Sequence, residues 1–336
     1  MRILVVTNMY PAAHAPHSGV FVEQQVESLR QIGLNVDVLF VDRLVEGIRT
    51  YIDLTPQVRD RIKQFRPDVI HAMYGGVMAA RVVAAADDIP SIVTFHGSDL
   101  LGEHLSGTFR RVMAQYGVMC SIKAARRATR IVVVSRHLAR ALPADVERSK
   151  VRLIPCGIDL ERFMPLDREF CRKSLGWDET RFHILFSGSA NPVKRPRLAR
   201  AAVDSLKNFS IDAEIHFLRG VANNQVPFWL NASDVVLVTS LHEGSPTIVK
   251  EALACNVPVV SVNVGDVVER IQDIDGCYIA SPEPNDIAAK LACVYDGPSR
   301  VASRSRMRAL SLERIANHLR DTYLESAAMQ LVTGAV

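Results

Sequence analysis

The chain has 336 residues, of which 48% are apolar and 23% are charged. This length suggests two domains that can each bury a core, and the composition excludes a disordered or fibrous chain. The formal net charge of +4 is too small to indicate nucleic-acid binding. No apolar run approaches the roughly 18 residues that would span a bilayer.

Two features bear on where the protein resides. The short apolar run at the N-terminus is broken by Thr7, Asn8 and Pro11, so we expect no secretory signal. The six cysteines are scattered and form no CxxC pair. We therefore expect reduced thiols in a cytoplasmic protein rather than a disulfide framework or a zinc site.

The positive charges are unevenly distributed. Between Glu103 and Asp145 the sequence has no acidic residue. Much of this stretch has a helical pattern, so several cations in residues 110–140 could share one face. That face is either a solvated surface or a patch that contacts an anionic membrane surface. The cations are Arg110, Arg111, Lys123, Arg126, Arg127, Arg130, Arg136 and Arg140.

The chain begins with an alternation of strands and helices. A strand over residues 2–7 precedes a helix over 19–33 that Gly33 ends. Five further strands follow: NVDVLFV, DVIHAM, SIVTFHG, RIVVVS and VRLIP. These segments are apolar almost throughout, which is typical of a parallel sheet with both faces buried.

A second block follows residues 159–177, which show no strand pattern. Its strands are FHILFSG, AEIHFL, DVVLVTS, PVVSVNV and CYIA, and its helices are near 196–208, from Pro246, over 284–296 and over 300–330. Two blocks of βαβ units predict an α/β fold of two doubly wound, Rossmann-like domains facing across a cleft. The expected domains are 1–165 and 166–315, and a helix over 316–336 could pack back on the first domain.

The loop and helix after DVVLVTS carry the most informative candidate site. Ser245 is a good helix N-cap and Pro246 suits the first helical position. The backbone N–H groups of Thr247 and Ile248 would then be available to an anion such as phosphate.

Two glutamates accompany that helix. Glu243 lies in the loop before it, where a carboxylate could accept hydrogen bonds from sugar hydroxyls. Glu251, about a turn and a half into the helix, could reach another hydroxyl, such as that of a ribose. The same residues also fit a capped helix with two surface glutamates.

A second loop follows the strand FHILF and precedes a helix. Gly188 permits close approach of the backbone, and Lys194 and Arg195 can neutralise a diphosphate. The loop is not a Walker A motif, because the spacing and the Lys-Ser/Thr pair are wrong. No strand leads into GxGxxG, which argues against a dinucleotide dehydrogenase.

Two loops of the first block are further candidates. His96 and Asp99 lie three residues apart at the end of SIVTF. His96 could hydrogen-bond a sugar or polarise a leaving group, or it could bond only to local backbone. Ser18 and Gly19 open the first helix, where Gly19 could let the backbone approach phosphate.

The sequence gives no sign of a metal or of hydrolase chemistry. His14, His17, His71 and His242 lack the spacing of metal ligands, and there is no HExxH motif. We therefore expect neither a metal nor a cofactor. No GxSxG elbow is present.

In this order, the motifs resemble those of the family-4 glycosyltransferases, which have the GT-B fold. VTNMYP with HSGVFVEQQVESL is similar to the family's first strand, loop and helix, and TFHGSD to its histidine-glycine loop. VRLIPCGIDLERFMP resembles its interdomain segment. The strongest match, NASDVVLVTSLHEGSPTIVKEALACNVPVVS, contains the family's E-x7-E element as Glu243 and Glu251.

The resemblance implies a metal-independent transfer of a sugar from a nucleotide-diphosphate sugar to a glycan or lipid-linked acceptor, with retention of anomeric configuration. It implies that Lys194 holds the diphosphate, that Glu243 and His96 contact the donor sugar, and that Glu251 binds the ribose. We place Asp99 on the acceptor side. The further donor-binding residues would be Ser18, Gly19, Gly188, Ser189, Arg195, Gly244, Ser245, Pro246, Thr247 and Ile248.

The chain departs from the family pattern at three places. Ser189 stands where the family commonly has an arginine, which Arg195 or Arg197 could replace. Ser18 precedes a single Gly19, where the family often has two glycines, and the loop between AEIHFLRG and VPFWLNAS is short. Two alternatives stay open: a non-catalytic nucleotide-sugar or carbohydrate-binding protein, and a nucleotide-sugar epimerase of GT-B architecture. We expect the protein in the cytoplasm, at the inner face of the membrane.

Overall fold

The computed structural model describes residues 1–102, 107–188 and 191–333, except for the side chains of 330–333. The chain forms two compact units: Met1–Gly157 with Leu312–Val336, and Ile158–Ser311. The division comes earlier than the expected boundary after residue 165. The reason is that the backbone N–H of Ile158 donates to the carbonyl of Leu310 at 2.8 Å, which ties the segment after Gly157 to the second unit.

The described residues of the first unit form six parallel strands. They are β1 (Arg2–Thr7), β2 (Asn35–Phe40), β3 (Val69–Met73), β4 (Ser91–Phe95), β5 (Arg130–Val133) and β6 (Val151–Leu153). Their order in the sheet is β2-β1-β3-β4-β5-β6. The helices are α1 (Val20–Gln31), α2 (Arg43–Glu46), α3 (Leu54–Phe65), α4 (Gly76–Ala85), α5 (Ser98–Leu101), α6 (Thr108–Arg127) and α7 (Arg136–Ala141), with 3-10 turns at Gly47–Tyr51 and Arg148–Lys150.

In the second unit, the part of the chain that the structure describes forms five parallel strands. They are β7 (Phe182–Phe186), β8 (Ala213–Phe217), β9 (Val235–Val238), β10 (Val259–Val262) and β11 (Tyr278–Ala280), in the order β11-β10-β9-β7-β8. The helices are α8 (Arg168–Leu175), α9 (Pro196–Asp204), α10 (Val226–Ala232), α11 (Thr247–Ala254), α12 (Val267–Ile271), α13 (Pro284–Tyr295) and α14 (Arg304–Met307), with 3-10 turns at Pro192–Lys194, Ser205–Phe209 and Arg308–Leu310.

The strand orders confirm the prediction of two doubly wound α/β domains. In the first unit the chain changes direction through the sheet between β1 and β3, and in the second between β7 and β9. In such sheets, ligands bind beyond the carboxyl ends of the strands at this switch point. Each unit therefore has a defined place for a ligand.

The last helix, α15 (Leu312–Thr333), belongs to the first unit and packs on α1 and β3. The predicted helix over 300–330 is thus wrong as a single element, because Ser311 has an extended backbone where the chain passes between the units. Tyr323 Oη lies 2.7 Å from Nδ1 of the buried His71. Burial lowers the pKa of His71 to about 3, so this histidine is a neutral core residue.

The basic stretch at 110–140 does not form one helical face, since it covers most of α6, β5 and most of α7. Arg130 is buried on β5, and Arg126 pairs with Asp145 at 2.8 Å. The start of α6 instead exposes both cations and large apolar side chains. In the part of the chain that is described, no helix has the length and apolar character needed to cross a membrane.

Candidate active site

The loops after β7 and β9 meet at the switch point of the second unit. The Lys194 ammonium group donates a hydrogen bond to Glu243 Oε1. The hydroxyl of Ser240 donates to the same oxygen at 2.7 Å. The side chains of Lys194 and Glu243 are only 29% and 16% exposed. The structure therefore brings together the two residues expected to hold the diphosphate and the donor sugar.

Backbone contacts fix the position of Lys194. A Cβ on Gly188 would lie 2.9 Å from Cβ of Lys194 and 2.5 Å from Cε1 of Phe186, so only a glycine lets these segments approach. The hydroxyl of Thr239 donates to the carbonyl of Lys194 at 2.7 Å. The predicted site residue Ser189 lies outside the described residues.

Arg195 braces the same two loops. Its Nε donates to the carbonyl of Thr239, and its Nη2 donates to the carbonyl of Ser240 at 3.2 Å. The guanidinium group is thus engaged with the backbone at the end of β9. Its predicted contact with the donor stays a prediction, and Arg197 is exposed on the first turn of α9.

Helix α11 begins one residue later than predicted. Pro246 has extended dihedrals (φ −63°, ψ 117°) and occupies the N-cap position. The prediction that Ser245 caps the helix is wrong, because its hydroxyl donates to Asp266 Oδ2 at 2.8 Å. Within the described residues, the N–H groups of Thr247 and Ile248 have no backbone acceptor. The start of α11 therefore offers unpaired donors to an anion.

A buried charged network that was not predicted from the sequence supports this helix start. Asp266 is buried and also accepts a hydrogen bond from Arg270 Nε at 2.8 Å. The buried Lys250 donates to the hydroxyl of Ser245 at 3.1 Å. The network keeps Ser245 turned away from the helix N-terminus.

Gly265, which precedes Asp266, was missed as well. It has a φ of 58°, and a Cβ there would lie 2.9 Å from the carbonyl oxygen of Gly244 and 3.3 Å from Cβ of Glu243. Only a glycine lets the loop after β10 pack against the loop that carries Glu243. The signal was available, since Gly-Asp follows the strand PVVSVNV at the same sheet edge.

Glu251 is half-buried on α11. Burial raises the pKa of its carboxyl from 4.5 to about 7, and the nearby charges of Lys250 and Arg162 only partly oppose this rise. The group therefore changes charge near neutral pH. Its predicted contact with a ribose stays a prediction.

In the first unit, Gly19 is the N-cap of α1 and has a φ of 68°. A Cβ there would lie 2.2 Å from the carbonyl carbon of Met9, so the loop after β1 packs directly against this glycine. The N–H of Ser18 donates to the carbonyl of Ala15 at 3.0 Å. Both residues lie at the start of α1, as expected, and their contact with phosphate stays a prediction.

Asp99 organises the loop that carries His96. Its buried carboxylate accepts hydrogen bonds from the N–H groups of Gly97 (2.8 Å), Gly75 (2.9 Å) and His96 (3.1 Å). Burial raises the pKa of this carboxyl, while the N–H groups oppose the rise. The Asp99 side chain thus joins the loop after β3 to the loop after β4. Asp99 is therefore a positioning residue for the loop that carries His96.

The ring of His96 lies at the same edge of the sheet. Its centroid is 4.9 Å from that of Phe21 on the first turn of α1, and Nδ1 lies 3.7 Å from Sγ of Cys156. The loop of Gly19 and the loop of His96 are therefore neighbours. The predicted contact of His96 with a donor sugar stays a prediction.

A cavity of about 620 Å³ lies at the strand ends of the first unit. Its polar lining includes Asn8, Tyr74 and Ser98, from the loops after β1, β3 and β4. Its apolar lining includes Ile48 and Phe109. Asp99 also lines it. This cavity was not predicted from the sequence, because α6 and the Gly47–Tyr51 turn are remote from the motifs.

Among the described residues, one set could supply three metal ligands. The ligand atoms of His183, Glu214 and His216 lie within 4.8 Å of one another. Each already has a protein partner: His183 Nδ1 lies 2.8 Å from His216 Nε2, and Arg181 donates to Glu214 at 2.9 Å. The set lies on β7 and the edge strand β8, so sequence spacing did not reveal it. The expected absence of a metal stays a prediction.

Comparisons with known proteins find similarity in both parts of the chain. Residues 4–162 match Glycosyltransferase Family 4, and residues 171–296 match Glycosyl transferases group 1. The chain is 27% identical over 331 residues to a protein of Bacillus subtilis (strain 168) named for teichuronic acid biosynthesis, the glycosyltransferase TuaC. That match covers 80% of this chain and 82% of the relative.

Solved structures share the fold. Sucrose-phosphate synthase from Thermosynechococcus elongatus superposes with a TM-score of 0.81 at 16% identity, covering 98% of this chain and 99% of that chain. Anabaena HepE in complex with UDP gives a TM-score of 0.67 at 16% identity, covering 97% and 100%.

The two family matches and the two parallel sheets place the protein among the glycosyltransferases of the GT-B fold. Its first part is similar to the family-4 model and its second part to the group-1 model. The prediction of two doubly wound domains and the coarse prediction of a glycosyltransferase are thus confirmed.

Proposed function

We propose that the protein transfers a sugar from a nucleotide-diphosphate sugar to a glycan or lipid-linked acceptor and retains the anomeric configuration. The observation that carries this proposal is the pairing of Lys194 with Glu243 near the start of α11. A cation, a carboxylate for hydroxyls and unpaired N–H groups are what a sugar diphosphate requires. The E-x7-E spacing of Glu243 and Glu251 supports retention through the family resemblance.

In the proposed reaction, the acceptor oxygen bonds to the anomeric carbon while the bond from that carbon to the nucleoside diphosphate breaks. The acceptor proton passes to an oxygen of the leaving phosphate. Lys194 and the N–H groups of Thr247 and Ile248 stabilise the charge that develops there. Because these groups supply positive charge, we propose that no metal is required. Glu243 and His96 contact the donor sugar and Glu251 the ribose.

A uridine diphosphate sugar is the first donor to test, since the HepE structures hold UDP and UDP-glucose. Purified protein is incubated in EDTA with a panel of nucleotide-sugars and acceptors, and the product anomer is assigned by NMR. We expect transfer with retention, strong loss in Glu243→Gln, and no loss in the control Glu169→Gln, an exposed glutamate of α8. Donor binding without turnover would indicate a binding protein. A change of donor stereochemistry in the absence of an acceptor would indicate an epimerase. Either result would overturn the proposal.

We propose a cytoplasmic site of action at the inner face of the membrane. None of the six cysteines forms a disulfide, as expected in a reducing compartment. Arg110 and Arg111 lie exposed on α6 beside exposed Phe109 and Val112, a combination that suits an anionic lipid surface. Flotation with anionic liposomes at low salt is expected to carry the protein upward; absence of binding would reject this part.

A further inference from the structure

The cavity of the first unit combines three kinds of surface that a neutral glycan would not need together. It has a polar end at the strand termini, an apolar wall, and cations among its lining residues. The polar end is formed by Asn8, Tyr51, Tyr74 and Ser98. Each surface points to one part of a ligand.

The polar end holds an unsatisfied acceptor. Asn8 Nδ2 donates to the hydroxyl of Tyr51 at 3.0 Å, but Asn8 Oδ1 is buried and has no hydrogen-bond partner among the described residues. Tyr74 Oη and Ser98 Oγ lie 2.7 Å apart nearby. A buried carbonyl oxygen without a donor is unfavourable, and a ligand hydroxyl would satisfy it.

The apolar wall is exposed to an unusual degree. Ile48 is 67% exposed and Phe109 is 74% exposed, and both line the cavity together with Met113. Further large apolar side chains are exposed on the same two segments: Leu44, Val45, Ile52, Val112 and Met119. Large apolar side chains that are exposed together can form an interaction surface or a ligand-binding groove. A hydrocarbon chain fits it, whereas a sugar polymer would leave it exposed.

The cations suit a phosphate. Arg43 and Arg110 both line the cavity, one on α2 and one on α6. Neither forms an ion pair with another described residue, and α6 contains no acidic side chain. An anion bound there would meet positive charge from two elements. Asp99 also lines the cavity, but its carboxylate already accepts hydrogen bonds from three backbone N–H groups.

The geometry points to an acceptor that is an anionic amphiphile: a phosphate or diphosphate carrying a hydrocarbon chain and a hydroxyl-bearing head group. The head group lies at Asn8, the phosphate between Arg43 and Arg110, and the chain along Ile48, Phe109 and Met113. This inference rests on the proposed function, because it identifies the bound molecule as the sugar acceptor. It selects the lipid-linked acceptor over the glycan.

Calorimetry on the full chain tests the binding with octyl phosphate, 1-octanol and inorganic phosphate. We expect octyl phosphate to bind at least about tenfold more tightly than either of the others, because each buried methylene group adds affinity. Equal affinities for octyl phosphate and inorganic phosphate would overturn the inference, as would equal affinities for octyl phosphate and octanol.

Matched variants assign the two halves of the ligand. Phe109→Ser is expected to weaken the binding of octyl phosphate about tenfold and to leave the affinity for inorganic phosphate unchanged. The control Phe170→Ser, a phenylalanine of the second unit that is 60% exposed, is expected to change neither. Arg110→Gln is expected to weaken the binding of both octyl phosphate and inorganic phosphate. The control Arg140→Gln, on α7, is expected to change neither affinity. If Phe109→Ser and Arg110→Gln behave like their controls, the proposed site is wrong.

Different experiments test the amphiphilic acceptor and the sugar transfer. The calorimetric assay uses no nucleotide-sugar, so absence of sugar transfer would overturn the proposed function and leave the binding result intact. Conversely, transfer to a short, water-soluble acceptor with the same KM as to its long-chain counterpart would confirm transfer and overturn the lipid-linked acceptor.

Discussion

The two switch points share a topology and differ in how their loops are held. In the second unit, charged and polar side chains join the loops to one another, as in the bond from Lys194 to Glu243 and those from Arg195 to the end of β9. In the first unit, the buried carboxylate of Asp99 fixes loops after β3 and β4, and a cavity of about 620 Å³ lies at the same strand ends.

This difference matches the two ligands that a glycosyl transfer requires. A diphosphate is small and highly charged, so its binding depends on cations and N–H groups held at fixed positions. An amphiphilic acceptor is larger and mostly apolar, so its binding depends on room and on exposed hydrocarbon surface. Under the proposed function, the same fold would bind both ligands through different loops and helices at the ends of its strands.

The largest effect is expected from removing the cation of the second unit. Lys194→Met keeps an unbranched side chain of similar length and removes the charge that stabilises the leaving phosphate in the proposed reaction. We expect kcat to fall at least about a hundredfold, or about 3 kcal/mol in the barrier, in an assay of donor consumption. Lys173→Met, at an exposed lysine of α8, is the control and should keep full activity. A kcat near the wild-type value would remove Lys194 from the reaction.

A second test measures how the stability of the protein depends on pH through Glu251 of the second unit. Because burial raises the pKa of Glu251 from 4.5 to about 7, the folded protein binds a proton more tightly than the unfolded chain does. The stability of the wild type should therefore fall as the pH rises from 4.5 to 7. Glu251→Gln cannot titrate and should lack this decrease, which amounts to about 3 kcal/mol.

Chemical denaturation of the wild type and Glu251→Gln at pH values on both sides of this window measures the difference. The variant should gain stability relative to the wild type at alkaline pH, and the gain should shrink toward acidic pH. Glu169→Gln, at an exposed site, should follow the wild type throughout. A constant difference between the wild type and Glu251→Gln over the whole range would contradict the raised pKa.

The glycine at the start of α1 offers a third test, on the first unit. Gly19→Ala should cost more than about 2 kcal/mol of stability, because a Cβ would meet backbone atoms of Met9 and φ is 68°. Gly33→Ala is the matched control: φ is 88° there, but the space around its Cβ is open. It should cost only the backbone strain, about 1 kcal/mol. Hydrogen exchange of β1 reports the difference, and equal losses would contradict the close packing on Gly19.

The elements whose formation depends on residues close together in the chain were predicted correctly from the sequence. The strand β1 lies where the β-branched run predicts it, and the E-x7-E helix follows its strand as expected. Ser245 was misassigned because its acceptor, Asp266, lies on the loop after the next strand. The unit boundary was misplaced because Ile158 pairs with Leu310, a contact between residues far apart in the chain. Side-chain partners at such separations have no periodic signature.

The smallest effect is expected from the carboxylate that holds the loops of the first unit. Asp99→Asn keeps the shape but turns one acceptor oxygen into a donor that faces backbone N–H groups, which should cost about 1–2 kcal/mol. Because Asp99 positions loops around the cavity, the KM for the acceptor should rise while the KM for the donor stays constant. The control Asp60→Asn, at an exposed site on α3, should change neither KM. A rise in the donor KM instead would mean that the Asp99 loop serves the donor, and the division of labour between the two switch points would no longer hold.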